Sequence, residues 1–356
     1  MAKATVLMTV YNGMPYLPMA IDSILNQSFR DFEFLIVNDC STDETRSVIL
    51  GRRDPRIRLI DNGVNLGQTR SLNLGLERTS TELVARMDAD DISHPTRLEE
   101  QIGFLENHPE VVVVGINLNQ IDANGRIIGK IIRPERNVQI RWLQLFECPV
   151  PGGSAAFRKS VVWDDMGGFD ASIRFSQDWE LLSRIPRRYE LANIPQALYD
   201  VRSHAASANA AMLDEVFQDI KKISRDNIRL SLDIDDESPE WQHKIDLLPE
   251  GIVRRRVEHP PLMLNLVETF FRRFCELYPA AGDDPGVLDL LSSQYFRVVE
   301  WSGLRSPSTS ARALRLARQI TPRTMYLARL VRAAAGIAGG REVRNWWRRA
   351  RVNLAR

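Results

Sequence analysis

The chain has 356 residues, a hydrophobic fraction of 44%, a charged fraction of 26% and a formal net charge of +1 at pH 7. That length suits one large domain or two ordinary ones, and the composition is that of a folded globular protein. Three widely spaced cysteines without a C-x-x-C pair exclude a disulfide framework and a zinc site, and indicate a reducing compartment. No signal-peptide pattern and no run of about 18 apolar residues is present. We therefore expect a cytoplasmic protein, soluble or attached to the inner face of the membrane.

Strands and helices alternate over the first 116 residues. Apolar, β-branched runs predict five strands, at residues 5–10, 32–37, 57–60, 82–87 and 111–115. The segments between them have helical spacing, with a predicted capping box at Ser41 and Glu44 and a predicted helix start at Ser93-His94-Pro95. This alternation predicts a parallel sheet with helices on both faces.

The rhythm changes after residue 116. A turn at Asp122–Arg126 predicts a hairpin, the loop at Gly152–Phe157 leads into a short strand, and a helix and a strand are expected at 176–184 and 191–201. From about residue 210 the pattern is helical, with expected helices at 212–232, 262–278, 287–299, 311–335 and 341–354. The sequence thus predicts an α/β part followed by a helical C-terminal part.

An acidic cluster follows the fourth predicted strand. Asp88, Asp90 and Asp91 place three carboxylates within four residues, and such groups repel one another and raise each other's proton affinity. Water or a cation must offset that repulsion. Asp88 and Asp90 are two apart in extended chain and point to the same side. One of these carboxylates can bind a hard divalent cation and the other a ribose hydroxyl, whereas Asp91 fits the entry to the next helix.

Polar and aromatic side chains also mark the ends of the first two strands. Thr9 and Tyr11 end strand one, and Asp39 follows strand two. Because ligands of open α/β sheets bind outside the carboxyl ends of the strands, these residues and the acidic cluster predict one site. Asp39 can accept a hydrogen bond from a nucleobase imide, and Tyr11 can stack on a ring.

The usual phosphate-binding loops are missing. Neither G-x-G-x-x-G after strand one nor G-x-x-x-x-G-K-[ST] occurs, which excludes ordinary dehydrogenases and P-loop proteins. A nucleotidyltransferase would need a glycine-rich basic loop after strand one, and residues 11–15 do not supply it. A diphosphate in this site would therefore be held mainly by a metal ion.

Several motifs occur together in the order and spacing of a known family. The sequence resembles the family 2 glycosyltransferases, which are inverting enzymes of the GT-A fold, in the segments Thr9–Gly13, Ser23–Phe29, Asn38–Thr45, Asn65–Gly67 and Arg86–Asp91. The resemblance covers about residues 4–208. It implies an α/β GT-A domain at 1–208, with a nucleotide-binding half at about 1–116 and an acceptor half at about 117–208. The remainder, 209–356, would be a helical extension.

The resemblance assigns roles to the donor side. Thr9, Tyr11 and Asp39 would frame the nucleobase, with Arg70 as a further candidate for that pocket. Asp88 would lie near the ribose. Asp90 would bind the Mn or Mg ion that bridges the sugar diphosphate.

Further roles fall on the later segments. Ser176–Leu181 resembles the catalytic segment of the family and makes Asp178 the general base, with Gln177 where Glu is commoner. Arg202-Ser203-His204, followed by Ser207, resembles the late R-x-H segment, whose histidine can approach the diphosphate or the metal. The Gln-x-x-Arg-Trp signature of processive synthases is absent, so we expect one sugar to be transferred per encounter.

The implied function is metal-dependent transfer of a sugar from a nucleotide-sugar to a hydroxyl of a glycan or lipid-linked acceptor. UDP- or dTDP-linked donors are favoured because Asp39 suits an imide N–H, and cell-surface polysaccharide synthesis is the expected setting. The alternative is a non-catalytic module that binds nucleotide-sugars or glycans. Gln177 is the feature that favours this alternative.

Each candidate also has a plainer interpretation. Asp39 can be a turn residue, Asp178 an ordinary helix N-cap and Tyr11 a core residue. Arg70 can be a solvated helix charge, and His204 a surface loop residue.

The C-terminal end is rich in arginine. Residues 309–356 contain twelve Arg, no Lys and one acid, Glu342. Basic helical faces with tryptophans at 346 and 347 fit an anionic membrane surface, while packing of solvated helices on the catalytic domain is the alternative. Nothing upstream supports nucleic-acid binding, and we expect none.

Overall fold

The computed structural model describes residues 2–203, 213–234, 238–246, 259–302 and 306–322, with residues 325, 326, 329, 330 and 333. The chain divides into two compact units, Met1–Ile140 with Glu147–Ile223, and Arg141–Phe146 with Ser224–Arg356. The boundary predicted at 208/209 lies in the stretch 204–212, outside the described residues. His204, the helix expected at 341–354 and most of the arginine-rich end also lie outside them.

Nine strands of the described chain form one sheet. They are β1 (Ala4–Val10), β2 (Phe32–Asn38), β3 (Ile57–Asp61), β4 (Leu83–Asp88), β5 (Ile92–Ser93), β6 (Val111–Ile121), β7 (Ile127–Ile131), β8 (Ala156–Arg158) and β9 (Glu190–Arg202). The predicted hairpin at 122–126 joins β6 to β7 and is confirmed.

Eleven α-helices lie in the described chain. They are α1 (Leu17–Leu25), α2 (Thr45–Gly51), α3 (Gln68–Arg78), α4 (Arg97–Asn107), α5 (Asn137–Gln144), α6 (Gln177–Arg184), α7 (Leu213–Leu232), α8 (Pro239–Ile245), α9 (Pro260–Leu277), α10 (Pro285–Ser302) and α11 (Pro307–Ile320). A 3₁₀ turn at Gly152–Ser154 precedes β8. None of the described helices is long and apolar enough to cross a membrane.

The sheet has the order β3-β2-β1-β4-β8-β6-β9-β5, and β7 pairs with β6. The first four strands are parallel, as predicted. The fifth predicted strand, β6, runs in the same direction but does not touch β4, because the short antiparallel strand β8 lies between them. The result is a mostly parallel sheet with a mixed half.

Helices cover both faces of the parallel half. Alternate residues of β1 point to opposite sides, so Val6 and Met8 pack with Leu17 of α1, while Leu7 packs with Leu72 of α3. The whole of β1 is buried. Burial on both faces explains why this strand is continuously apolar rather than alternating.

Two predicted helix starts are wrong. No capping box forms at Ser41 and Glu44, because the Ser41 hydroxyl accepts a hydrogen bond from the Asn12 N–H at 2.9 Å. The next expected start, at residues 93–95, is replaced by β5, which pairs with β9, and α4 begins only at Arg97. In both places a residue predicted to cap or begin a helix instead bonds to a loop or strand that is distant in the sequence.

The second unit has its own aromatic core. Trp142 is fully buried, and its ring lies 5.1 Å from that of Phe146, 5.5 Å from that of Phe271 and 5.3 Å from that of Phe274. Aromatic pairs at such centroid distances add to the stabilisation from buried area.

Candidate active site

The site lies at the carboxyl edge of the sheet, where β1 separates β2 from β4. Thr9 is in register with Asp88 of β4, and Val10 with Asn38 of β2. The strand order reverses direction at β1, and such switch points are where open α/β sheets bind ligands. The fold therefore brings together the three strand ends that carry the predicted donor-side residues.

Asp39 follows β2, and its side chain is buried. One carboxylate oxygen accepts hydrogen bonds from the Asn62 amide and the Leu66 N–H, and the other accepts one from the Gly67 N–H, all at 2.8 Å. A carboxylate has about four lone-pair sites, so about one remains for a ligand. Asp39 therefore holds the loop of residues 62–67 at the edge of the sheet, which agrees with its interpretation as a turn residue. The remaining acceptor position is compatible with a contact to a nucleobase.

Asp88 is the last residue of β4, and its side chain is 30% exposed. Its Oδ1 accepts hydrogen bonds from the Arg86 guanidinium at 2.9 Å and from the Gln68 amide at 3.5 Å. Its backbone N–H donates to the Tyr199 hydroxyl at 3.1 Å. Asp88 is thus oriented from the strand, from the start of α3 and from β9.

The carboxylates at this edge are crowded. Burial raises the pKa of Asp88. The negative charges of Asp90 and Asp178 raise it further, whereas the Arg86 guanidinium opposes the rise. A divalent cation would offset this repulsion and favour the ionised forms. No group of three or more His, Cys, Asp or Glu side chains in the described chain could hold a metal by itself. The residues therefore fit an ion that takes one or two carboxylates and completes its shell with a diphosphate and water.

Asp91 serves the architecture of the acidic loop. It is buried, its Oδ1 accepts a hydrogen bond from the Arg202 N–H at 2.7 Å, and the Tyr199 hydroxyl also bonds to it. Burial, together with the charges of Asp90 and Asp88, raises the pKa of Asp91 well above its usual range. Asp91 anchors the loop to β9 instead of opening a helix, so the helix-entry prediction is wrong.

Asp178 is the second residue of α6 and is half-buried. Its Oδ2 accepts a hydrogen bond from the Gly152 N–H at 2.7 Å, and its Oδ1 accepts one from the Trp179 N–H at 2.9 Å. The N-cap is Ser176, which has a left-handed φ of 57°. Asp178 is therefore not the helix cap of the plainer interpretation, and two backbone N–H groups fix the direction of its carboxylate.

The thiol of Cys148 also lies against Asp178. It donates a hydrogen bond to the Val150 carbonyl at 3.1 Å. Burial, followed by the charge of Asp178, raises the pKa of the Cys148 thiol well above its usual range. Cys148 is thus a neutral neighbour of the carboxylate and not a nucleophile.

The turn Gly152–Ser154 separates the two halves of the site. A Cβ on Gly152 would lie 2.3 Å from Arg86 Nη1 and 2.7 Å from Asp178 Cβ, and one on Gly153 would lie 2.1 Å from Asp88 Oδ2. The two glycines therefore let the backbone approach both carboxylates. The sequence predicted a loop at this place but not its contact with Asp88.

Gln177 has a partner that local sequence does not show. It is buried, and its amide donates to Gln68 Oε1 at 3.2 Å, while the Gln68 amide donates onward to Asp88 at 3.5 Å. These two amides link the start of α6 to the end of β4. Gln177 is thus connected to Asp88 through Gln68.

The remaining candidates differ in their placement. Thr9 is buried beside β4, and the Tyr11 ring is 53% exposed, so its interpretation as a core residue is wrong. Arg70 is exposed on α3. Asp90 is half-exposed, and its carbonyl accepts a hydrogen bond from Arg202 Nε at 2.7 Å.

Sequence reasoning named Arg86 and Arg202 only as members of motifs, without a role for either, and it missed Gln68 and Tyr199. A signal existed for Arg86, because residues two apart in a strand share a face and Arg86 precedes Asp88 by two. Tyr199 and Arg202 lie more than a hundred residues along the chain from the acidic loop that they contact. No local pattern reveals such a pairing.

The architecture is that of the GT-A glycosyltransferases. TarS 1–349 of S. aureus, solved in complex with UDP-GlcNAc, matches with a TM-score of 0.55 and 18% identity over 89% of this chain and 90% of that one. The mannosyltransferase PcManGT from Pyrobaculum calidifontis, in complex with GDP-Man and Mn²⁺, matches with a TM-score of 0.53 and 18% identity over 97% and 82%. At this level of identity the likeness concerns the fold.

Sequence comparison identifies the family. Residues 5–165 match the model "Glycosyl transferase family 2". An uncharacterized glycosyltransferase of Haemophilus influenzae is 32% identical over 234 residues, which span 63% of this chain and 72% of the relative. The O-antigen biosynthesis glycosyltransferase WbnJ of Escherichia coli is 30% identical over 220 residues, which span 59% and 83%. The chain belongs to glycosyltransferase family 2 and is a glycosyltransferase.

Proposed function

We propose that the protein transfers one sugar per encounter from a nucleotide-sugar to an acceptor hydroxyl, with a divalent metal and with inversion at the anomeric carbon. The observation that carries this proposal is the placement of Asp88 and Asp178 on the two sides of one glycine turn. Gly152 donates its N–H to Asp178, and the neighbouring glycine packs on Asp88. A donor held at the sheet edge would then have a base on its acceptor side.

The donor would bind across the ends of β1, β2 and β4. Tyr11 has an exposed ring for stacking on a base, Thr9 borders the same edge, and Asp39 keeps about one acceptor position for an imide N–H. This supports a UDP- or dTDP-linked donor. The TarS structure contains UDP-GlcNAc, whereas PcManGT contains GDP-Man. Arg70 stays a proposed contact to the same nucleotide.

The metal would be Mn or Mg, held by Asp90 and the diphosphate, while Asp88 would lie near the ribose. Burial and the neighbouring charges of Asp90 and Asp178 raise the pKa of Asp88, which supports a cation there, and PcManGT is described with Mn²⁺. When bound, such an ion neutralises charge on the departing diphosphate. His204 stays a proposed ligand from outside the described residues.

Asp178 would act as the general base. The acceptor oxygen attacks the anomeric carbon, its proton passes to Asp178, and the bond to the diphosphate breaks with its electron pair leaving on the nucleotide. A carboxylate in proton-transfer range supplies about 10²- to 10⁴-fold in rate. The Gly152 and Trp179 N–H groups would keep it oriented during this step. One displacement inverts the anomeric carbon without a covalent intermediate.

A panel of nucleoside diphosphates tests the donor proposal. UDP, dTDP, GDP and ADP are added with Mn²⁺ or with EDTA, and the melting temperature of the protein is followed. Ligands that bind only the folded state raise that temperature. We expect a rise with UDP or dTDP in Mn²⁺ that EDTA abolishes. No shift with any diphosphate, or a shift that EDTA leaves unchanged, argues against the proposal.

The biological role we propose is cell-surface polysaccharide synthesis, with a glycan or lipid-linked acceptor. It rests on relatives such as WbnJ, whose name places it in O-antigen biosynthesis. Comparing transfer to synthetic lipid-linked monosaccharides and to free sugars tests the acceptor class. Faster transfer to free sugars would contradict a lipid-linked acceptor.

We also propose that the arginine-rich end contacts an anionic membrane from the cytoplasmic side. In the part that the structure describes, Arg312 of α11 pairs with Glu268, while Ala313 and Ala317 are buried. Deleting α11 would expose the residues that pack against it and could unfold the protein. The test therefore deletes only the residues after 333. A smaller share of the truncated protein should remain in the membrane fraction, and an unchanged distribution would count against this contact.

A further inference from the structure

The β6–β7 hairpin has an exposed apolar end. Ile127, Ile128 and Ile132 are 61%, 58% and 66% exposed, in a stretch of only six residues. Within the described chain β7 pairs only with β6, so it is an edge strand. Antiparallel strands with one solvated face normally present polar residues there, and exposed apolar edges promote unwanted association. The exposed isoleucines at this end are therefore unusual for a strand face that contacts only water.

The alternation along β7 defines the outward face. Ile131 packs against the hydrophobic core, which sets the direction of the opposite face. Lys130 therefore lies on the opposite face, and it is exposed. The pairing with β6 shifts register between Gln120 and Ile121, so Ile128 is an extra residue between the paired Ile127 and Gly129, while Ile132 follows the end of the strand. All three isoleucines are exposed, so the tip presents apolar side chains around Lys130.

The charges around the tip are mostly positive. Residues 126–136 contain four cations and one acid, Glu135. Arg133 is paired with Glu147 at 3.0 Å, whereas Arg126 and Lys130 are exposed. Asp122 in the turn accepts backbone N–H groups and stays ionised near Arg126. Residues 122–136 thus hold four cations and two acids, so the tip joins an apolar surface to a net positive charge.

We propose that this hairpin tip, residues 126–132, docks on an anionic lipid surface. The three isoleucines would enter the headgroup region, and Arg126 and Lys130 would contact the lipid phosphates. Surfaces that combine apolar and basic residues bind such interfaces through burial of apolar area and through attraction to anionic headgroups. Pairing with a second copy fits less well, because antiparallel pairing centred on β7 would bring Lys130 close to its own copy.

The hairpin turn is tied to the active site by one side chain. Arg202 donates from Nη1 to the carbonyls of Asp122 at 3.2 Å and Ala123 at 3.3 Å, and from Nε to the carbonyl of Asp90 at 2.7 Å. A lipid surface at the tip would therefore lie near the acidic loop. Docking would thereby present a lipid-linked acceptor to the site, and this step rests on the proposed function. The docking itself can be measured without any sugar transfer.

Vesicle binding tests the proposal. The full chain is mixed with phosphatidylcholine vesicles, with and without phosphatidylglycerol, and the bound fraction is measured by flotation. We expect binding to the anionic vesicles that is about tenfold weaker in Ile128→Ser/Ile132→Ser and about fivefold weaker in Lys130→Glu. Leu50→Ser removes an isoleucine-sized side chain that is 51% exposed on α2, and it should bind as the wild type does.

A local probe separates the hairpin from the arginine-rich end. An environment-sensitive fluorophore is attached at Ile128→Cys or at Leu50→Cys, and labelled wild type corrects for the native cysteines. On anionic vesicles the emission at position 128 should shift to the blue, and that at position 50 should not. The proposal would be overturned if the fluorophore at position 128 kept its aqueous spectrum, or if the double serine variant bound vesicles as the wild type does. It would also be overturned if the wild type formed a dimer instead of binding vesicles and the double serine substitution abolished that dimer.

Discussion

Two buried arginines lie beneath the carboxylates of the site. Arg97 is fully buried and donates to the Arg86 carbonyl at 2.6 Å and to Gln101 Oε1 at 2.9 Å. Burial lowers the pKa of Arg97 to about 10, so it keeps its charge at neutral pH. Arg86 reaches further, with its guanidinium on Asp88 and its chain lining a cavity that also contacts Asp178. Arg86 therefore borders both Asp88 and Asp178.

Arg86→Met should reduce sugar transfer by about hundredfold or more, because removing one partner of a buried charge pair leaves the other uncompensated. Arg86→Lys should retain part of the activity, since it keeps the charge but loses the planar guanidinium. Initial rates and donor affinity from calorimetry check this. The exposed Arg78→Met serves as the matched control. Wild-type kinetics in Arg86→Met would show that the cation has no part in the site.

The sequence revealed the acids of the site better than the groups that hold them. Asp39, Asp88 and Asp178 stand at strand or helix ends in recognisable motifs. Their partners come from elsewhere: Tyr199 reaches Asp88 across more than a hundred residues, and the donor to Asp178 is the backbone of Gly152. A backbone N–H carries no residue identity, so no reading of side-chain types could have found it.

The glycine turn before β8 is the element on which the geometry of the site depends. Gly153→Ala would place a methyl group 2.1 Å from Asp88 Oδ2, so that carboxylate must move. We expect at least about tenfold weaker donor binding with the fold retained, since misplacing a positioned group costs on the order of a hundredfold in rate. Gly103→Ala, with nothing within 4 Å of the added carbon, is the matched control. Equal donor affinity in both variants would contradict the role given to this turn.

The connection between β5 and β9 gives a pH-dependent prediction. The hydrogen bond that His94 Nε2 donates to Asp200 Oδ1, at 2.7 Å, raises the pKa of His94 above 6.5. A pKa raised by folding stabilises the fold below the unfolded value and loses that contribution as the pH rises through the folded value. The same contact lowers the pKa of Asp200, whose share is lost only in more acidic solution.

His94→Gln should therefore lower the urea midpoint clearly at about pH 5.5 and much less at about pH 9. Urea unfolding of both proteins across this range measures the difference. His108→Gln, which breaks an exposed pair with Glu110, is the control and should change little. A constant difference at all pH values would mean that the charged pair does not stabilise this connection.

At the level of elements, the sequence pattern predicted the parallel half of the sheet and most strands of the mixed half, but it missed β5 and the order in which the later strands pair. β1 to β4 are long, apolar and separated by helices, so their period and order are visible. β8 has only three residues, too few to show a period, yet it lies between β4 and β6. The strand pairing that completes the acceptor side is thus decided by tertiary packing.

For the whole molecule, the carboxylates proposed for the donor side and for the acceptor side come from different parts of the chain. The parallel half supplies Asp39, Asp88 and Asp90, and the segment after β8 supplies Asp178 at the start of α6. Family membership makes the chain a glycosyltransferase, and the division of labour between the carboxylates is our proposal. The exposed hairpin tip adds a surface by which such an enzyme could meet a lipid-borne acceptor.

The most direct test of this account measures nucleotide-sugar binding and turnover in the wild type, Asp178→Asn and Asp90→Asn, each with Mn²⁺ and with EDTA. Asp164→Asn changes an acid that is 59% exposed and is the control. We expect Asp178→Asn to bind the donor normally while turnover falls about thousandfold, and Asp90→Asn to lose the metal-dependent part of binding. Turnover by Asp178→Asn at the wild-type rate, or donor binding by Asp90→Asn that still responds fully to Mn²⁺, would contradict the account.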